Sequence, residues 1–187
     1  MIYRFLPKSV YIDDTEYKIR NDGDYGVVLD VISALNNSKL SDYERAYCAL
    51  YIFYKEIPDD RNAAIREMLK FINCGKDEDK KESTPQLVDW EKDFPLMTSP
   101  INKVLGYDIR EKDYVHWWTF ISGYMEIGEC LFSTVVTIRK KKLTGKPLDK
   151  SEQEFYSKNF ELVNIGKKLS NEEEKFINDL LGGDVNA

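Results

Sequence analysis

Hydrophobic and polar positions change period along the chain, and each change marks an element. In Val10-Tyr11-Ile12, Asp13-Asp14 and Glu16-Tyr17-Lys18-Ile19-Arg20 the apolar residues alternate about an acidic pair. Period-two alternation around such a pair predicts a short β-hairpin. After Asn21-Asp22-Gly23 the spacing lengthens. Tyr25, Val28, Leu29, Ile32 and Leu35 recur three and four apart, and the Asn36-Asn37-Ser38 cluster ends the helix they predict.

Ser41 and Glu44 have capping-box spacing, in which each side chain satisfies a backbone donor at a helix start. They open a second helix that places Tyr47, Leu50, Tyr51 and Tyr54 on one side. Pro58 and Asp59-Asp60 start a third, with Ala63, Ala64, Met68 and Phe71-Ile72 inward and Gly75 as its stop. Residues 76–86, KDEDKKESTPQ, are nearly devoid of apolar groups and predict a solvated, mobile loop. A helix follows from Val88-Asp89-Trp90-Glu91 to Leu105, with Pro95 in its first turn, Pro100 as a kink and Gly106 as its end. Thr144-Gly145-Lys146-Pro147 predicts a turn, and Asp149 caps a helix with Phe155 and Phe160 inward. Ser170-Asn171-Glu172-Glu173 is another capping box, opening a short last helix that Gly182-Gly183 stops. The expected fold is mainly α (α+β), with no internal repeat. A single helical domain with a small N-terminal β-hairpin spans residues 1–165, and a C-terminal helix and tail span 166–187.

Residues 113–132, DYVHWWTFISGYMEIGECLF, read as the first part of one helix reaching Ile138. At helical period His116, Thr119, Ser122, Glu126, Glu129, Ser133 and Thr137 form one thin polar stripe. Apolar side chains cover the rest, so such a helix must be nearly surrounded by its own domain or by a partner. Trp118 and Tyr124 are the candidates for partner contact. Gly123 and Gly128 permit close approach or a bend. The segment is long enough to cross a membrane, but two central glutamates cost about 2.5–3.5 kcal/mol each there, which argues against a span.

Composition narrows the function. The 187 residues are 42% hydrophobic and 13% aromatic, enough for a packed core, and a net charge of −6 argues against a dedicated nucleic-acid binder. Twelve tyrosines and nine phenylalanines hint at a partner-binding surface. The three widely spaced cysteines suit a reducing compartment, and MIYRFLPKSV lacks the apolar core of a signal peptide. A cytoplasm is the expected location.

Candidate chemistry is sparse. His116 and Cys130 lie 14 positions apart, roughly 21 Å along one helix, out of reach as a base and nucleophile. Glu126 and Glu129 have no accompanying Glu-x-x-His, so no metal site is expected. Gly166-Lys167-Lys168 is preceded by Glu161 where a phosphate loop needs glycine, and no strand leads into it. No catalytic or cofactor-binding residue, and no enzymatic activity, is expected. The basic run Arg139-Lys140-Lys141-Lys142, with Lys146, fits cations at a helix C-terminus, although an acidic protein partner stays open.

Asp113-Tyr114-Val115-His116-Trp117-Trp118-Thr119-Phe120 resembles the His-Trp-Trp-x-Phe helix of a family of phage and prophage proteins of Gram-positive hosts. That family is labelled phage gene product fifteen and is associated with tail assembly chaperones. The resemblance continues through Val88-Asp89-Trp90-Glu91-Lys92-Asp93, Gly106-Tyr107-Asp108-Ile109-Arg110, Thr137-Ile138-Arg139-Lys140-Lys141-Lys142, Gly145-Lys146-Pro147-Leu148 and Glu154-Phe155-Tyr156-Ser157-Lys158-Asn159. It is firm over residues 88–165 and looser over 10–75. Pro147 and Ser157 depart from it, standing where basic residues are expected. The resemblance implies a non-enzymatic protein of the host bacterial cytoplasm that binds the phage tape measure protein and helps recruit tail tube protein, with self-association as a natural extension. It implies neither nucleic acid nor membrane as partner. Its signature positions, as partner contacts or core, are Trp90, His116, Trp117, Trp118, Phe120, Tyr124 and Arg139. The alternative is a structural tail or head-completion protein retained in the virion.

Overall fold

A computed structural model describes residues 5–76 and 86–165 of the chain. The alternating N-terminus forms the expected hairpin, in which β1 (Ser9–Ile12) pairs antiparallel with β2 (Thr15–Lys18), Val10 facing Tyr17 and Ile12 facing Thr15. Asp13 and Asp14 turn the chain at φ of 47° and 62°. Two consecutive left-handed residues match the right-handed twist of the strands, and aspartate tolerates that conformation better than most side chains. Val10 and Ile12 are buried, while Tyr11 between them is exposed.

Asp24 caps α1 (Tyr25–Asn36) by accepting the Gly26 amide, and Val27, Val28 and Val31 form the buried face. The expected capping box opens α2 (Asp42–Phe53): Ser41 accepts from the Glu44 amide and Glu44 accepts from the Ser41 amide. The inner face of α2 differs from expectation. Ala49, Leu50 and Phe53 are buried together with Tyr54 just beyond, whereas Tyr47 and Tyr51 lie on the surface. The arc taken by Ala49, Leu50 and Phe53 leaves the i, i+4 tyrosine row on its flank, where each ring keeps its hydroxyl in water. Asp60 caps α3 (Arg61–Ile72), which buries Ala63, Ala64, Met68 and Phe71. Gly75, at φ of 82°, sends its amide back to the Lys70 carbonyl at 2.8 Å and closes this helix as expected.

Two prolines lie inside α4 (Trp90–Leu105). Because that helix starts at Trp90, Pro95 sits beyond the first turn that was expected to hold it. Within this segment the Thr98 hydroxyl donates to the Phe94 carbonyl at 2.6 Å. Gly106, at φ of 79°, ends the helix.

The long helix expected from the aromatic stretch onward is instead two: α5 (Trp117–Met125) and α6 (Leu131–Leu143). Glu126 caps the end of α5, and the Cys130 amide donates to the Ser133 hydroxyl at 2.9 Å to start α6. A glycine, Gly128, lies in the connector, and a local serine cap replaces the backbone bonds a continuous helix would have made. The single polar stripe is therefore broken. His116 precedes α5 as its N-cap, and Met125 and Leu131 at the break are 70% and 48% exposed.

The chain divides into two compact units. Of the described residues, the first takes 5–76 and 90–127 and the second takes 86–89 and 128–165. In the second unit the expected Asp149 cap opens α7 (Lys150–Lys158), and α8 (Phe160–Val163) comes directly after it. Val135, Ile138 and Val163 form its core, with Leu148, Phe155, Tyr156 and Leu162 packed against them. The architecture is thus mainly helical with one N-terminal hairpin. No helix among the described residues is long and apolar enough to cross a membrane. Most of the charged loop expected at 76–86, and the capping box and helix expected after residue 166, lie outside the described residues.

Candidate functional site

Six of the seven signature residues belong to the first unit and form two ring-contact groups, Trp90 with Trp117, Phe120 and Tyr124, and His116 with Trp118. Five of them cap or lie within α5, and Trp90 opens α4. His116 is 2% exposed and caps that helix, its Nδ1 accepting the Trp118 amide at 3.0 Å. Its Nε2 lies 2.9 Å from the Pro7 carbonyl oxygen. A carbonyl can only accept, so Nε2 carries the proton and the ring is the neutral tautomer. Burial holds its pKa below the ordinary value, and Lys8 adds to the lowering, while the Pro7 contact and Asp24 oppose it. The ring has no free lone pair with which to take up a substrate proton. Since the helix breaks after Met125, it is this main-chain engagement, and no longer distance along a helix, that takes His116 out of nucleophile–base chemistry.

The two tryptophans have parallel roles. The indole N–H of Trp117 donates to the Ile72 carbonyl and that of Trp118 to the Phe71 carbonyl, both at 2.9 Å. These carbonyls belong to the last turn of α3, where a helix has no internal donors left. Adjacent aromatic residues on α5 supply donors to both, alongside the Cys74 amide, which also reaches the Phe71 carbonyl at 3.0 Å. Trp117 is buried at 2% exposure, whereas Trp118 is half-buried, tilted against the Phe71 ring and edge-on to His116. Gly23 sits beneath this junction at φ of 79°, and a Cβ there would come within 2.7 Å of the Phe71 ring and 3.3 Å of His116. Asp24 ties the same corner by accepting the Val115 amide at 2.9 Å.

Phe120 is fully buried, and its ring stacks on Tyr25 at 4.8 Å. Trp90 on α4 bridges Trp117, Phe120 and Tyr124 at 5.0–6.4 Å between ring centres. Trp90 and Tyr124 are half-buried, and burial raises the Tyr124 pKa. His116, Trp117 and Phe120 are therefore core groups, and Trp118, Trp90 and Tyr124 border the surface.

Arg139, the seventh signature residue, lies in the second unit. It is 4% exposed, and its guanidinium donates to the carbonyls of Val163 at 2.7 Å, Leu162 at 2.8 Å and Leu87 at 3.0 Å. One side chain on α6 thus holds α8 and the 86–89 segment. Two other cations of this run are also engaged: Lys141 reaches both Glu152 oxygens at 2.6 Å, and Lys142 lies 3.7 Å from the centre of the Tyr156 ring. Lys140 remains exposed.

Sequence reasoning missed the tyrosine row of α2. Tyr43, Tyr47 and Tyr51 are 72%, 42% and 62% exposed, and Tyr43 stacks with Tyr47. Arg61 lies over Tyr47 at 5.4 Å and Arg20 over Tyr51 at 5.6 Å. The signal was present as a strict four-residue spacing of tyrosines, distinct from the Ala49, Leu50, Phe53 positions. Among the described residues, no group of three or more histidine, cysteine or acidic side chains could hold a metal ion.

A family model described as Bacteriophage Gp15 protein matches residues 3–165. No curated protein and no solved structure matches the chain.

Proposed function

The chain belongs to the bacteriophage Gp15 protein family, and from that membership we propose that it is a tail assembly chaperone which binds the tape measure protein during tail morphogenesis. The match across residues 3–165 carries this reading, because it makes the chain a phage protein along nearly its whole length. The arrangement of its side chains supports a role in contact and not in turnover. The one histidine is locked between main-chain groups, while exposed aromatic side chains gather on α2. Protein interfaces favour tyrosine and arginine, the residues found there. On this reading the protein acts in the host bacterial cytoplasm without cofactor, keeps its client soluble, and contacts tail tube protein or further copies of itself.

The test is co-expression with the phage tape measure protein. The expected outcome is a client that is soluble only in the presence of this protein and that elutes with it on size exclusion. An equally soluble client and no joint peak would sink the proposal. Mass spectrometry of purified virions separates it from the alternative of a retained tail or head-completion component: the chaperone is expected to be absent, and a stoichiometric presence would favour that alternative.

A further inference from the structure

We propose that the tyrosine row of α2, with Arg20 and Arg61 beside it, is the dock for a single amphipathic helix of the client, one that carries acidic residues flanking its apolar face. This rests on the chaperone reading and adds the site and the chemistry of the segment it receives.

Three observations carry it. First, the row is linear and regular. Tyr43, Tyr47 and Tyr51 project at four-residue intervals over roughly 12 Å of helix, about two turns. A second helix laid alongside presents its own apolar side chains at the same interval, so rings and side chains interdigitate.

Second, the patch is the wrong size for a second copy of the chain. At roughly 150–250 Å² per aromatic side chain, the exposed fractions of 72%, 42% and 62% amount to on the order of 350 Å². A stable interface between folded domains buries about 800 Å² on each side. One short helix needs far less, and 350 Å² is ample for two turns of it.

Third, two cations border this row without a carboxylate partner among the described residues. Asp42 is engaged by Arg45, and Glu44 is held in the capping box with Ser41. Arg20 donates from Nε and Nη2 to the carbonyls of Tyr51, Ile52 and Tyr54, and among the described residues its charge meets no carboxylate. Arg61 rests over Tyr47, and among the described residues no carboxylate forms an ion pair with it. Two guanidinium groups held against tyrosine rings form an aromatic track with cationic edges. Acidic residues flanking an apolar row would meet them.

The experiment uses the full chain co-expressed with the tape measure protein. The triple variant Tyr43→Ser, Tyr47→Ser, Tyr51→Ser alters exposed side chains only, and its far-UV circular dichroism and melting temperature are compared with wild type. Expected are an unchanged fold and at least a tenfold loss of client retention, with Arg61→Glu giving a weaker loss in the same direction. Should the triple variant fail to fold, the single Tyr47→Glu carries the test with the same expected loss. A wild-type complex that the folded variants retain in full overturns the docking site while leaving the chaperone reading intact. Wild-type self-association that the variants abolish, with client binding unaffected, also overturns it, because a second copy then occupies the row. If wild type forms no client complex at all, both readings fall together.

Discussion

At the scale of single residues, the aromatic signature joins helices by hydrogen bonds as well as by burial. Trp117 fills the core and caps α3 through one indole N–H. Trp117→Ala is expected to cost about 3–5 kcal/mol, the range for truncating a large buried aromatic, read by chemical denaturation. An unchanged melting temperature with lost client binding would instead place the residue at an interface. His116 makes stability depend on pH in a defined direction. Its folded pKa is lowered by burial, so between that value and about 6.5 the unfolded chain binds a proton that the folded chain does not. Its contribution is complete above about pH 6.5, declines as pH falls toward the folded pKa, and is flat below it. Denaturation midpoints measured across this window should fall on acidification in wild type. The slope should flatten in His116→Gln, whose side chain does not titrate. An unaltered slope in the variant would assign the pH dependence to other groups.

At the scale of elements, end-capping decides where helices stop. Ser41 with Glu44 and Asp149 with Glu152 start α2 and α7 at the positions their sequence spacing indicates. Local sequence suffices there because each cap spans only four residues. The break between α5 and α6 is different. Apolar periodicity runs through it, and only the Cys130–Ser133 cap and Gly128 mark it. Beyond the break, Arg139 fastens α6 to α8 through main-chain carbonyls. Arg139→Ala strands acceptors at Leu87, Leu162 and Val163, each worth about 1–3 kcal/mol when buried without a donor. Amide hydrogen exchange is expected to speed up across α8 and the end of α6, while the amides of α1–α3 keep their protection. Uniform acceleration along the chain would show that Arg139 supports more than its own unit.

At the scale of the whole molecule, the surface separates two kinds of charged group. In the second unit the basic run, for which an acidic protein partner stayed open, is mostly consumed: Arg139 is buried, Lys141 is paired with Glu152, and Lys142 lies over Tyr156. In the first unit two arginines lie over exposed tyrosines without a carboxylate partner among the described residues. The aromatic richness counted in the composition is therefore divided. Part builds the Trp90–Trp117–Phe120 core, and part is displayed along α2, which is the division the co-expression experiments address.

Sequence by itself determined the class of fold and most element boundaries: the hairpin about Asp13-Asp14, the caps at Ser41, Asp60 and Asp149, and the glycine stops at Gly75 and Gly106. These depend on backbone conformations that a few neighbouring residues set. Sequence also carried the family, through the ordered aromatic and basic motifs of residues 88–165. Tertiary structure alone decided which aromatic side chains are inside. Tyr47 and Tyr51 lie on a helical side next to Leu50, and the four-residue tyrosine spacing does not say which way that side faces; α2 packs through Ala49, Leu50 and Phe53 and leaves them on the surface. It also decided the fate of His116, whose two nitrogens meet Pro7 and Trp118, one of them 109 positions away in the chain. Periodicity reports that a helix has an apolar side; the direction that side faces is fixed by neighbours distant in sequence, because burial is a property of the packed assembly.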